Sequence, residues 1–319
     1  MNSLTDINDF VKTQELLETD TEVLYEVYEK KAPELKYTLK VYKKIPEDYS
    51  SLLDFLYKTN SAHPLSLNLN AFPRLFSSFK CRDKVDNSKV CDCVLLEHVP
   101  SYLRILYQKD FMNKTGSFIR IYRYYQSFID FLGYLEISGL FHGNLCPEVI
   151  GVTNEKALKF MELENLNYGM GNLNNSKLLN KDLRSPYLAP ELKKALFEGK
   201  NLSFNGNKID VFAMGAILLE LGGEAIEEGV SLKELEEMIE EKLKNFKAKF
   251  EKAVPFNYIE MFGRFMKILE LSLSIDPKNR PSPLELLKKS MQFINKNYVL
   301  SFLKIIEENM GFFKENLND

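Results

Sequence analysis

The spacing of apolar positions changes along the chain. Residues 4–18 carry Leu4, Ile7, Phe10 and Val11 on one side, a spacing that predicts a helix. Over residues 22–44 the period drops to two. Val23, Tyr25 and Val27 alternate, as do Tyr37, Leu39 and Val41, and Pro33 separates the two runs, so strand, turn and strand are expected. Residues 47–59 return to helical spacing. Residues 75–80 and 91–96 read as two further strands joined by the polar loop 81–89. The first hundred residues should therefore hold a small sheet and one helix.

Beyond Pro100 the pattern is mostly helical. Residues 118–138 form a long apolar-aromatic run with Gly139 as its stop. A loop-rich stretch covers 141–190, and a buried helix is expected over 209–221. Residues 231–252 are strongly amphipathic, with Leu232, Leu235, Ile239, Leu243, Phe246 and Phe250 on one face. Ser231 and Glu234 have capping-box spacing at its start. A last helix is expected over 297–310, stopped by Gly311. A mostly β part followed by a mostly α part predicts an α+β fold.

Composition narrows the function classes. The 319 residues are 45% hydrophobic, enough for one large domain or two lobes. A net charge of -3 points to neither nucleic acid nor an anionic membrane as the main partner. The N-terminus has neither a basic nor an apolar leader segment, and the longest apolar run, 211–221, is too short for a bilayer and holds Glu220. A soluble cytoplasmic protein is expected. The four cysteines, Cys81, Cys91, Cys93 and Cys146, are expected as reduced thiols. Cys81, Cys91 and Cys93 with His98 match no common zinc spacing, so no metal is expected. The aromatic-basic stretch 118–125 sits at helical spacing and reads as core, not as a stacking platform for RNA.

Three segments carry chemistry in a recognisable order. They are Ser185-Pro186-Tyr187-Leu188-Ala189-Pro190-Glu191, then Asp210-Val211-Phe212-Ala213-Met214-Gly215, then Asp276-Pro277-Lys278-Asn279-Arg280-Pro281-Ser282. Together they resemble the eukaryotic protein-kinase family over roughly residues 20–290. The resemblance implies a bilobal kinase-like fold. It comprises a helical extension over 1–19, a small β-rich lobe over 20–100, a larger helical lobe over 101–295 and a helical extension over 296–319. It also implies a buried two-pronged pair between Glu191 and Arg280. Asp210 should accept hydrogen bonds from backbone N–H groups of the loop that starts at His142.

The same resemblance places the family's phosphate-transfer positions on residues of the wrong chemistry. Its phosphate-covering glycines fall on Asp20, Glu22 and Tyr25. One carboxylate about 5 Å from a phosphate charge costs roughly 3 kcal/mol at an effective dielectric of about 20. Tyr37-Thr38-Leu39-Lys40 aligns with V-A-I-K, which makes Lys40 the phosphate-pairing lysine and Asp54, one methylene short, its partner. Leu96, Glu97 and Val99 complete a vestigial nucleotide site. His142-Gly143-Asn144-Leu145-Cys146-Pro147-Glu148-Val149 aligns with H-R-D-L-x-x-x-N. Asn144 replaces the proton-accepting aspartate, Cys146 a phosphate-contacting lysine, and Val149 the metal-holding asparagine. Gly143 replaces the arginine that grips a phosphorylated loop, so Ser176 in the 164–184 segment lacks a built-in sensor. Glu162-Leu163-Glu164 stands for D-F-G. Loss of a general base alone typically costs about 10²–10⁴ in rate.

These substitutions imply a pseudokinase that acts by binding, as scaffold, allosteric partner or assembly component, without a cofactor. Two alternatives stand beside it. One is an atypical kinase or nucleotidyl-transferring enzyme that keeps residual ATP binding through Lys40 and Glu162. The other is a structural subunit of a cytoskeletal assembly, which would make the protein cytoskeleton-associated. Protein partners are expected at 231–252 or 297–313, where Phe302, Ile306, Phe312 and Phe313 supply apolar surface.

Overall fold

The computed structural model describes residues 9–18, 22–45, 49–50, 52–54, 56, 71–82, 90–104, 117–163, 166–168, 183–198 and 204–291. These residues mix α and β: a small sheet region comes first and helices follow. They fall into two compact units. One draws on Met1–His63, Asn70–Leu103 and Ile150–Glu164, the other on Pro64–Leu69, Arg104–Val149 and Asn165–Asp319. The expected division at residue 100 is thus crossed by 101–103 and 150–164. The reason is strand pairing: β6 (Ser101–Tyr102), β8 (Ile150–Val152) and β9 (Leu158–Phe160) form one antiparallel sheet.

The first unit is built on a five-stranded antiparallel sheet in the order β1-β2-β3-β5-β4. Its strands are β1 (Phe10–Glu18), β2 (Glu22–Glu29), β3 (Ala32–Tyr42), β4 (Leu75–Arg82) and β5 (Val90–Glu97). The helix expected over 4–18 is corrected here: 10–18 is a strand. Its backbone pairs with β2 from Phe10↔Glu29 onward, and the Thr13 hydroxyl donates to Glu26 Oε1 at 2.7 Å. Pairing along a neighbour's open edge outweighs the short helical pattern, and β-branched Val11 and Thr13 suit a strand. Leu4 and Ile7 lie outside the described residues. The described residues between 49 and 56 are helical, as the spacing predicts.

Period-two alternation sorts the sheet into two faces. Val27, Leu39, Cys91, Cys93, Leu95 and Phe79 form a buried cluster on one, with Tyr25, Tyr37 and Val41 against it. Cys91 and Cys93 are therefore small core residues here. The other face carries Glu22, Leu24, Thr38, Lys40, Val94 and Leu96, cross-strand or diagonal neighbours in the register.

The second unit is helical: α1 (Ser117–Ile137), α2 (Pro190–Glu198), α3 (Gly206–Leu221), α4 (Leu232–Glu251), α5 (Ile259–Ser272) and α6 (Pro283–Met291). Helix α1 buries Phe118, Ile121, Tyr125, Phe128, Leu132 and Leu135, a stripe at three-four spacing. It ends at Gly139, whose φ of 68° is the left-handed stop expected. Helix α3 is buried nearly all round, so it serves as the unit's central post. Helix α4 begins with the expected reciprocal Ser231–Glu234 cap. Its apolar stripe is used internally, because Phe246 and Phe250 pack with each other and with Phe265 and Phe118 respectively. Of the apolar positions expected to dock a partner, Leu235, Ile239, Phe246 and Phe250 are buried within the unit, and Leu232 is exposed. Residues 297–313 lie outside the described residues. Among the described residues no helix is long and apolar enough to cross a membrane.

Asp130 on α1 gives the unit a pH dependence. Burial raises its carboxyl to about 7. A raised acid pKa stabilises the fold while the proton is on, so this contribution is intact below about pH 4 and is lost as pH rises through about 7. Asp130→Asn should therefore stabilise the protein at pH 8 by roughly 2 kcal/mol, and by much less at pH 4. Urea unfolding at the two pH values checks this; equal gains at both would contradict it.

Candidate functional site

The chemistry concentrates at two places, one in each unit. In the first unit Lys40, on β3, is 1% exposed, and its Nζ lies 2.7 Å from Glu22 Oε2 on β2. Glu22 opens β2 opposite Tyr42 and Lys40 lies opposite Leu24, so the pair sits diagonally on one face. The Tyr42 ring lies 5.2 Å from the same ammonium. Both ion-pair partners are out of water, a costly arrangement unless the pair stays intact. Asp54, the partner expected for Lys40, is solvent-exposed on its helical segment instead. Glu22 wins because a neighbouring strand fixes the separation rigidly, whereas the shorter Asp54 points to water.

Two further contacts close the same region. The Val99 N–H donates to the Thr38 hydroxyl at 3.1 Å, and both residues are fully buried. The Val99 side chain presses on Gly151 of β8, where an added Cβ would meet Val99 Cγ1 at 2.3 Å. Leu96 is buried opposite Thr38. Glu97 holds Lys159 of β9 at 2.7 Å, and the Lys159 ammonium also donates to the Phe72 carbonyl at 3.4 Å. Every residue named for a vestigial nucleotide site except Asp54 is thus engaged by another part of its own unit. Tyr25, which the resemblance aligns with a glycine, packs on the opposite face with Lys12 3.7 Å above its ring. Asp20 lies outside the described residues.

Beside this region Glu26 Oε1 accepts from Lys36 at 2.9 Å, and Glu26 Oε2 lies 3.4 Å from His98 Nε2. Burial pushes His98 below its usual range, against the pull of Glu26. The imidazole is therefore mostly neutral at pH 7.

In the second unit the chain leaves β7 (Leu140–Phe141) and turns at Gly143, φ 74°. The His142 and Gly143 N–H groups donate to Asp210 Oδ2 and Oδ1 at 2.6 and 2.7 Å. The Asn144 N–H donates to His142 Nδ1 at 3.2 Å, which leaves Nε2 protonated in the neutral ring. The Asn167 amide donates to the His142 carbonyl at 3.1 Å, tying β10 (Asn167–Tyr168) to the loop. Asp210 is 1% exposed, so α3 holds this turn from inside the core. Asn144 and Cys146 line a 150 Å³ cavity with Ser185, Tyr187 and Asp210. Val149, buried in the turn Pro147–Val149, presents no oxygen from its side chain. Glu162 is half-buried in the first unit.

Glu191 and Arg280, far apart in sequence, form the expected two-pronged pair, with N–O distances of 2.6 and 3.2 Å. Arg280 also donates to the carbonyls of Lys208 and Ser274 and lies 5.0 Å from the Phe212 ring. Removing one partner of such a buried pair typically costs about 3–5 kcal/mol. Sequence reasoning missed a second network beside the loop. The Tyr187 hydroxyl donates to Glu220 at 2.6 Å, and Arg104 reaches Glu220 at 3.0 Å and Glu148 at 3.2 Å. Burial and then Glu220 raise the Tyr187 phenol far above its usual range. Burial also raises Glu220, outweighing Tyr187 and Arg104.

Compared with known proteins, the chain matches no protein-family model and no curated protein.

The Glu22–Lys40 pair makes a direct test. Glu22→Gln and Lys40→Met should each destabilise the protein by about 3–5 kcal/mol, because each strands a buried charge. The double variant should lose clearly less than the sum, a coupling of at least about 1 kcal/mol. Chemical denaturation of all four proteins checks this; additive losses would remove the pair from the account.

Proposed function

We propose that this chain is a catalytically silent, protein kinase-like module that works by binding other proteins. The observation that carries the reading is the internal neutralisation of Lys40 by Glu22 at 2.7 Å. In the kinase resemblance Glu22 stands at a phosphate-covering glycine and Lys40 at the phosphate-pairing lysine. A carboxylate fixed on that ammonium holds the place that a phosphate oxygen would take, and it repels a second anion. The Thr38–Val99 hydrogen bond uses a backbone donor at a position of implied nucleotide contact. Neither contact leaves a nucleotide its usual partners.

The order of structural contacts supports the kinase-like part of the reading. Asp210 holds the turn at His142–Gly143, and Glu191 holds Arg280, as the motif order implies. In this reading the sheet-based unit is the small lobe and the helical unit the large one. The loop scaffold is kept while its reacting groups are an amide at Asn144, a thiol at Cys146 and an isopropyl group at Val149. None of them accepts a hydroxyl proton at neutral pH or chelates magnesium as a carboxylate and a side-chain carbonyl do. Retention of the frame without the chemistry fits a scaffold, an allosteric partner or an assembly component. The alternative, a nucleotide-using enzyme, requires Lys40 to leave Glu22 and to expose a buried carboxylate.

A thermal-shift titration tests this. The expected result is no rise in melting temperature at millimolar ATP with Mg²⁺ or Mn²⁺ beyond the rise given by inorganic tripolyphosphate under the same conditions. Binding at a hundredth of the ligand concentration would add about 2.7 kcal/mol, easily seen. A clear metal-dependent stabilisation by ATP that tripolyphosphate does not reproduce would favour the enzyme reading.

A further inference from the structure

A basic cavity lies in the second unit, away from the turn at His142 and lined by different residues. Its volume is 390 Å³, and Lys208, Lys278, Arg280, Lys288 and Lys289 line it with Glu285 as the sole acid. Five cations converge there in a chain whose net charge is -3. Such a concentration is not the average property of this surface.

The local acids do not neutralise the cluster. Glu285 is bound to the backbone: its Oε2 accepts from the Ser282 N–H at 2.8 Å, and its own N–H donates to the Ser282 hydroxyl at 3.4 Å. That is the capping box of α6, so this carboxylate has a structural task. Glu191 is committed to the outer fork of Arg280. Glu136 accepts from the Leu284 N–H at 2.8 Å, and Lys288 lies within its field. Lys208 donates to the Pro277 carbonyl at 2.9 Å. Among the described residues Lys278, Lys288 and Lys289 are exposed and form no ion pair within 4.0 Å.

Arg280 is 0% exposed, and its guanidinium is held by Glu191 and by the carbonyls of Lys208 and Ser274. It forms the fixed floor of the cluster, and the charge open to a ligand is that of Lys278, Lys288 and Lys289 at the rim.

We propose that this cavity binds an anion carrying two or more phosphate groups. Lysine ammonium groups are mobile point charges that suit phosphate oxygens, and a volume of this size admits a compact polyphosphate but not a folded domain. The half-buried Leu271 and buried Pro281 lower the local dielectric on one side, which strengthens the attraction. The proposal does not depend on the kinase-like reading, since it uses none of the same residues except Arg280, whose pairing is an observed fact.

Calorimetric titration of the full chain with inorganic tripolyphosphate, and separately with a doubly phosphorylated peptide, tests it. The first probe reports a free small anion and the second phosphates borne on a peptide. Binding of either is expected to weaken at least tenfold in Lys278→Ala/Lys289→Ala, to survive in Lys278→Arg/Lys289→Arg and to fall steeply with salt. Lys242→Ala/Lys244→Ala on α4 should leave it unchanged. Circular dichroism confirms that each variant is folded, and the salt dependence of the unmodified chain stands even if one is not. Absence of binding by both probes at millimolar concentration, or binding indifferent to the 278/289 pair, would overturn the proposal.

Discussion

The sheet of the first unit is built around one buried ion pair, Glu22 with Lys40. Burying an ammonium and a carboxylate is unfavourable for each alone, and the pair is tolerable only because β2 and β3 hold the two at contact distance. A lysine with a fixed internal carboxylate is a structural cation. The same charge facing open water would be a ligand for phosphate. The surrounding contacts repeat the arrangement. Thr38 takes the Val99 N–H, Glu97 takes Lys159, and Val99 fills the space over Gly151.

The helical unit is organised by the opposite use of polar groups, for precision of backbone shape. Asp210 receives two backbone donors from the turn, and Arg280 joins α2 to the segment before α6 while also reaching the start of α3. These interactions fix loops that would otherwise carry unmet buried N–H and C=O groups. They also hold Asn144 and Cys146 steadily beside a small cavity, although neither side chain supplies a base.

Much of this was legible in the sequence. Alternation located β2, β3, β4 and β5, and the Ser231–Glu234 spacing located the start of α4. The Glu191–Arg280 and Asp210 contacts followed from the order of motifs. Three features were not legible, each for a physical reason. Residues 10–18 carry a weak helical pattern, and only the available edge of β2 makes them a strand. Lys40 has two acids within plausible reach, and choosing Glu22 over Asp54 needs the strand register. The strands 150–152 and 158–160 belong to the first unit through pairings and ion pairs that local periodicity does not encode. The threonine in Tyr37-Thr38-Leu39-Lys40 was a visible signal: a buried hydroxyl needs a partner, and here it is the Val99 N–H.

The central claim, that Lys40 is a sequestered structural cation, has a direct chemical readout. Acylation of the native protein with an amine-reactive ester, followed by peptide mass spectrometry, ranks its lysines by access. The account predicts that Lys40 stays unmodified while exposed Lys30 and Lys156 react, and that Lys40 becomes reactive only on unfolding. Modification of Lys40 in the native protein at a rate comparable to Lys30 would contradict it.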